Sequence, residues 1–190
     1  MSKSLLQGVN LYLVGMMGAG KTTVGRLLAT QMKYGFVDTD VVIEKVAKVE
    51  SISQLFAEKG EVEFRQLESE VLAQVCAYTN LVIATGGGIV LKRENWSYLH
   101  HGLVVWLDVP IELLHARLAD DTTRPLLQDA NLLEKLQTLL HQRHPLYAQA
   151  DLQVTTSSEE TPEQIATRVI EEIPTVLKKG VGGTRGQGEN

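Results

Sequence analysis

Cysteine is almost missing from this 190-residue chain: Cys76 is the only one, so no disulfide can close within it. Cys76 follows Val71, Leu72 and Val75 at helical spacing, and a packed thiol is expected there rather than a nucleophile. Long hydrophobic runs are missing too. None approaches the roughly 20 residues of a membrane span, and residues 1–8 are too short and polar for a signal peptide. A cytoplasmic chain with no membrane partner is the expectation. Positive charge is in short supply, with 18 Lys and Arg against 23 Asp and Glu and a formal charge of −5. That leaves no broad basic surface and argues against a nucleic-acid binder. The five histidines form no H-E-x-x-H pattern and have no cysteine partners, which speaks against a zinc site. No N-K-x-D and no D-x-x-G occurs, so the marks of a guanine-nucleotide switch are absent, and there is no internal repeat.

What is present centres on Gly15-Met16-Met17-Gly18-Ala19-Gly20-Lys21-Thr22, which fits the phosphate-binding pattern G-x-x-x-x-G-K-[ST] without a mismatch. Glycines let successive backbone N–H groups turn inward on a phosphate. Lys21 supplies a positive charge for the outer phosphates, and the Thr22 hydroxyl suits Mg²⁺. The apolar run at 9–14 reads as a buried strand before the loop; Val24, Leu27, Leu28 and Met32 recur at helical spacing after it. Strand, glycine loop and helix are the context the pattern needs, so a nucleoside triphosphate is the expected ligand.

Short apolar runs at 36–37, 81–84, 103–107 and 152–154 alternate with helical patterns, and most lack clean polar alternation. Strands covered on both faces read this way, which predicts a three-layer α/β/α fold with a five-stranded parallel sheet. Ligands in such folds collect beyond the C-terminal strand ends. There the second strand leads into Asp38-Thr39-Asp40, with both carboxylates on one side if the strand runs on. Asp40 could cap a helix starting near Val41; alternatively one carboxylate serves Mg²⁺ and the other a substrate hydroxyl. The third strand leads into Thr85-Gly86-Gly87-Gly88, three glycines that suit close backbone approach to a ligand and carry no acid for Mg²⁺, leaving Asp38 for that task.

Ser51 offers a helix cap, Gly60 breaks the pattern, and a helix over 61–77 has Phe64, Leu67, Val71, Leu72 and Val75 as its apolar stripe. Arg65 lies in it beside Glu61, Glu63 and Glu68, and its spacing alone suggests a surface ion pair. Further helices are expected over 91–100, after Pro110, over 131–142 and over 161–172, with a glycine-rich disordered tail from 177 to 190 after a single domain. The polar, proline-containing stretch around 118–130 is a candidate lid carrying Arg124.

G-M-M-G-A-G-K-T at 15–22, D-T-D at 38–40, E-F-R at 63–65, G-G-G at 86–88, R-P-L at 124–126 and R-x-P-L-Y at 143–147 together resemble shikimate kinases, over about residues 9 to 172. The resemblance implies a small kinase of the nucleoside-monophosphate-kinase type, acting as a monomer, that moves the γ-phosphoryl of ATP to the 3-hydroxyl of shikimate. It implies that Gly18, Ala19, Gly20, Lys21, Thr22 and Thr23 hold ATP, and that Thr22 and Asp38 hold Mg²⁺. It makes Asp40 the partner of the attacking hydroxyl, with Lys21 and Arg124 its catalytic companions. Arg65 and Arg143 then grip the substrate carboxylate, Gly86, Gly87 and Gly88 offer backbone N–H groups, and Arg117 lies against adenine. A sugar-acid kinase such as a gluconate kinase is the alternative within enzymes; a nucleotide switch and an inactive relative that binds partners are the alternatives outside them.

Overall fold

The computed structural model describes residues 6, 8–119 and 131–181. Five parallel strands, β1 (Leu11–Val14), β2 (Gly35–Asp38), β3 (Leu81–Ala84), β4 (Leu103–Asp108) and β5 (Leu152–Thr155), form one sheet in the order β2-β3-β1-β4-β5. Every residue of β1 is buried, as is every residue of β4 except its last, so helices cover both faces of the sheet's centre. At the edge, β5 alternates buried and exposed. The expected five-stranded parallel α/β architecture is the one observed.

Register decides where the site lies. Leu13 of β1 and Asp38 of β2 both pair with Ala84 of β3, so the three strands end at one level. Thr85 stitches the next loop to β1, its backbone N–H and its hydroxyl both donating to the Leu13 carbonyl at 3.2 and 2.8 Å. The loops that leave β1, β2 and β3 therefore share one rim.

Helices α1 (Lys21–Met32), α2 (Thr39–Ala47), α3 (Ile52–Val75), α4 (Arg93–Leu99), α5 (Ile111–Leu118), α6 (Leu132–Tyr147) and α7 (Pro162–Val181) wrap the sheet, with a 3₁₀ turn at Ile89–Leu91. Ser51 caps α3 by accepting from the Gln54 N–H, as its residue type suggests. Gly60 sits inside α3 at φ 78°, a kink that joins two helical pieces where the sequence marks a break. Three expectations shift. The chain turns helical at Thr39, one residue after β2, so Asp40 belongs to the first turn of α2 and not to an extended strand. Helix α6 continues past 142, through Pro145, to Tyr147. Helix α7 runs to Val181, so residues 177–181 of the expected tail are helical. The rest of that tail and the lid centre lie outside the described residues. None of the described helices is long and apolar enough to cross a membrane.

Leu13 is fully buried at the middle of the sheet. Leu13→Ala is expected to lower the unfolding free energy by about 3 kcal/mol, measured as a lower urea midpoint at an unchanged slope.

Candidate active site

Gly20 precedes α1 at φ 87° and offers no side-chain cap, leaving the first N–H groups of the helix for an anion. Gly18 is also left-handed, at φ 77°. Buried Lys21 arches over the loop, its Nζ donating to the carbonyls of Gly15 and Met16 at 2.8 Å each. An ammonium held at the loop mouth suits the outer phosphates of a nucleotide. The Thr22 hydroxyl donates to Asp38 Oδ2 at 2.7 Å, while Asp38 Oδ1 accepts from the Asp40 N–H at 3.0 Å. Asp38, not Asp40, is thus the cap of α2, and it reaches the phosphate loop with its other oxygen. Hydroxyl and carboxylate oxygens are hard donors that suit Mg²⁺, which takes one or two protein ligands beside phosphate and water. Arg117 donates from Nη1 to the Gly18 carbonyl at 3.2 Å, which brings α5 to the same loop, and Thr23 is exposed next to Thr22.

The glycine loop after β3 forms the other wall. The Gly86 N–H donates to Thr39 Oγ1 at 3.2 Å, so that amide is not free for a substrate. What Gly86 contributes is the lack of a side chain, since a Cβ there would stand 2.8 Å from Glu68 Oε1 and 2.9 Å from Asp40 Oδ1. A Cβ on Gly88 would run into the Arg65 guanidinium. Arg143, from α6, donates to the Gly87 carbonyl at 3.2 Å, and Tyr147 donates to the same oxygen at 2.6 Å. Arg65, Arg143, Asp40 and Glu68 therefore converge on Gly86–Gly88. A Cβ on Gly87 would lie 3.3 Å from the Met17 nitrogen and 3.4 Å from the Gly15 carbonyl, so this wall touches the phosphate loop directly. Arg65 pairs with Glu61 at 3.3 Å and with Glu68 at 2.8 Å, as its spacing suggests, and its guanidinium also lies against Gly88. Of the candidate site residues named from the sequence, Arg124 alone falls outside the described residues.

The family model described as shikimate kinase matches residues 17–174. The chain belongs to the shikimate kinase family. Shikimate kinases from Nostoc sp. and Nostoc punctiforme are 68% and 70% identical to it, covering 93% and 92% of this chain and 97% and 96% of their own. A solved shikimate kinase from Acinetobacter baumannii, in complex with shikimate, superposes with a TM-score of 0.86 at 39% identity over 92% of this chain and 98% of that one.

Two residues of this kinase escaped the sequence reading. Glu68 looked like a flanking charge, but it falls on the stripe of Phe64, Val71 and Val75 and is fully buried. A lone acid on an apolar helical stripe was the available signal. Its Oε2 takes the Arg65 bond, and its Oε1 has no hydrogen-bond partner among the described residues. Tyr147 was visible only as the end of a motif. Burial pushes the Glu68 carboxyl up from its ordinary value, against the pull of Arg65. A carboxyl whose folded value is raised binds more protons folded than unfolded, so its contribution to stability is lost as pH rises above the unfolded value near 4.5. Glu68→Gln should accordingly gain on the wild type in urea midpoint as pH is raised from 4.5 toward neutrality; a wild type that gains on the variant would contradict this sign.

Proposed function

We propose that this chain transfers the γ-phosphoryl group of ATP to the 3-hydroxyl of shikimate, giving shikimate 3-phosphate and ADP on the route to chorismate and the aromatic amino acids. Membership in the shikimate kinase family over 93% of the chain carries this reading and sets aside the gluconate alternative. Contacts within the site support the following roles. The N-terminal amides of α1, with Gly18, Ala19, Gly20, Lys21, Thr22 and Thr23, hold the phosphates of ATP, and Arg117, tied to Gly18, lies beside the nucleotide. Thr22 and Asp38 would hold Mg²⁺, which when bound neutralises charge on the phosphate oxygens.

On the acceptor side, Arg65 and Arg143 bind the substrate carboxylate. Two guanidinium forks suit a planar carboxylate, and Glu68 holds one of them from beneath through its 2.8 Å bond to Arg65. The backbone amides of Gly87 and Gly88 add donors at the same wall. Asp40 hydrogen-bonds the 3-hydroxyl and takes its proton as that oxygen bonds to phosphorus, while the bond from phosphorus to the β-phosphate oxygen breaks and ADP leaves. Lys21 and, from the lid over 118–130, Arg124 neutralise charge on the transferring group. The proposed enzyme acts as a monomer in the cytoplasm on two small-molecule substrates.

ADP release should require shikimate, with gluconate and nucleoside monophosphates giving only background; release driven by another acceptor would overturn the substrate assignment. Asp40→Asn is expected to lower kcat about 100-fold, the usual worth of a positioned general base. Arg65→Ala should raise the shikimate KM by more than tenfold and leave that for ATP within about twofold. An equal rise in both would remove Arg65 from the carboxylate site.

A further inference from the structure

The Gly87 carbonyl accepts two hydrogen bonds from one face of α6, from Arg143 Nη1 at 3.2 Å and from the Tyr147 hydroxyl at 2.6 Å. A peptide plane whose oxygen is fixed has its N–H direction fixed as well, and the N–H opposite this oxygen belongs to Gly88, at the floor occupied by Arg65. Gly87 has no side chain to anchor this plane, and glycine backbone rotates more freely than any other. The two donors from α6 anchor it from outside the loop.

Tyr147 is built for that task. It is fully buried, and its ring stacks on Trp106 at 5.7 Å between centroids. Packing thus holds the phenol in one rotamer. Its oxygen also lies 3.8 Å from the Met16 sulfur, within the phosphate loop, so one side chain touches both walls of the site. Burial raises the phenol's pKa to about 12, which keeps it protonated and donating at any working pH.

We propose that Tyr147 is a positioning residue for the acceptor: its hydroxyl sets the Gly87–Gly88 peptide plane, and shares the Gly87 carbonyl with Arg143, so that the amide and the guanidinium meet the substrate carboxylate in one fixed geometry. Tyr147 itself touches no reacting atom. The inference rests on the shikimate reading of this wall and names a residue that reading does not use.

Tyr147→Phe removes the hydroxyl and keeps the stacked ring. The expected result is a shikimate KM raised about tenfold, the factor that one buried hydrogen bond commands, with the ATP KM within twofold and the melting temperature nearly unchanged. Shikimate affinity measured by calorimetry should fall by the same factor. His144→Ala is the packing control, since His144 meets Trp106 but makes no bond to the glycine loop; its shikimate KM should stay within twofold of wild type. A Tyr147→Phe enzyme with wild-type shikimate KM would overturn the proposal. Equal rises in the shikimate and ATP constants, or a His144→Ala effect as large as that of Tyr147→Phe, would overturn it too by reducing it to general loosening. A wild-type enzyme that ignores shikimate would remove the substrate reading and this inference with it, whereas a wild type that turns over shikimate beside an unaffected Tyr147→Phe variant would remove the inference alone.

Discussion

Two stretches of bare backbone pressed together hold this site in place. The phosphate loop after β1 and the glycine loop after β3 meet so closely that a single methyl on Gly87 would stand 3.3 Å from the Met17 nitrogen. Neighbouring parallel strands ending at one level make that contact, and side chains at the glycines would prevent it. In the proposed mechanism this approach brings nucleotide and acceptor together before any charged group contributes. Phosphoryl transfer demands little covalent chemistry from the protein, and alignment plus electrostatic stabilisation are most of what an enzyme can offer it.

Charge follows from that arrangement. The chain is acidic overall, at −5, while both substrates are anions. Field from the whole molecule opposes binding, so attraction has to be local and poorly screened. Lys21 and Arg143 are buried, Arg65 is largely so, and the amides at the start of α1 add fixed partial charges. Glu68 keeps the buried cluster from becoming a simple cationic trap. It pairs with Arg65 from below and stands near Asp40, a carboxylate neighbour that penalises placing further negative charge there.

The fold and the nucleotide side were legible because their signals are local. Apolar runs without alternation announced a doubly covered sheet, and the phosphate loop occupies eight consecutive residues whose meaning does not depend on distant partners. Asp38 and Asp40 were given separate tasks from the sequence, but the cap of α2 fell to Asp38 rather than Asp40, because the chain turns helical one residue earlier, at Thr39. Arg65 was ambiguous for a different reason. Helical spacing predicts its ion pairs, and they exist, but no local pattern tells that the same face meets a glycine loop 21 residues onward. Gly86 was expected to offer its N–H to a substrate, yet Thr39, at the start of α2, takes it. Tyr147 needed the unforeseen continuation of α6 through Pro145, which places it one turn after Arg143. For Arg65 and Gly86, what local sequence could not carry was a partner from another element.

A crystal structure of the complex with Mg²⁺, ADP and shikimate tests the central claim most directly. The account predicts the shikimate carboxylate between the guanidiniums of Arg65 and Arg143, the Gly88 amide directed at it, and the 3-hydroxyl against Asp40, facing the phosphate loop. Shikimate seated away from the Gly86–Gly88 wall, or with its carboxylate turned from both arginines, would contradict it.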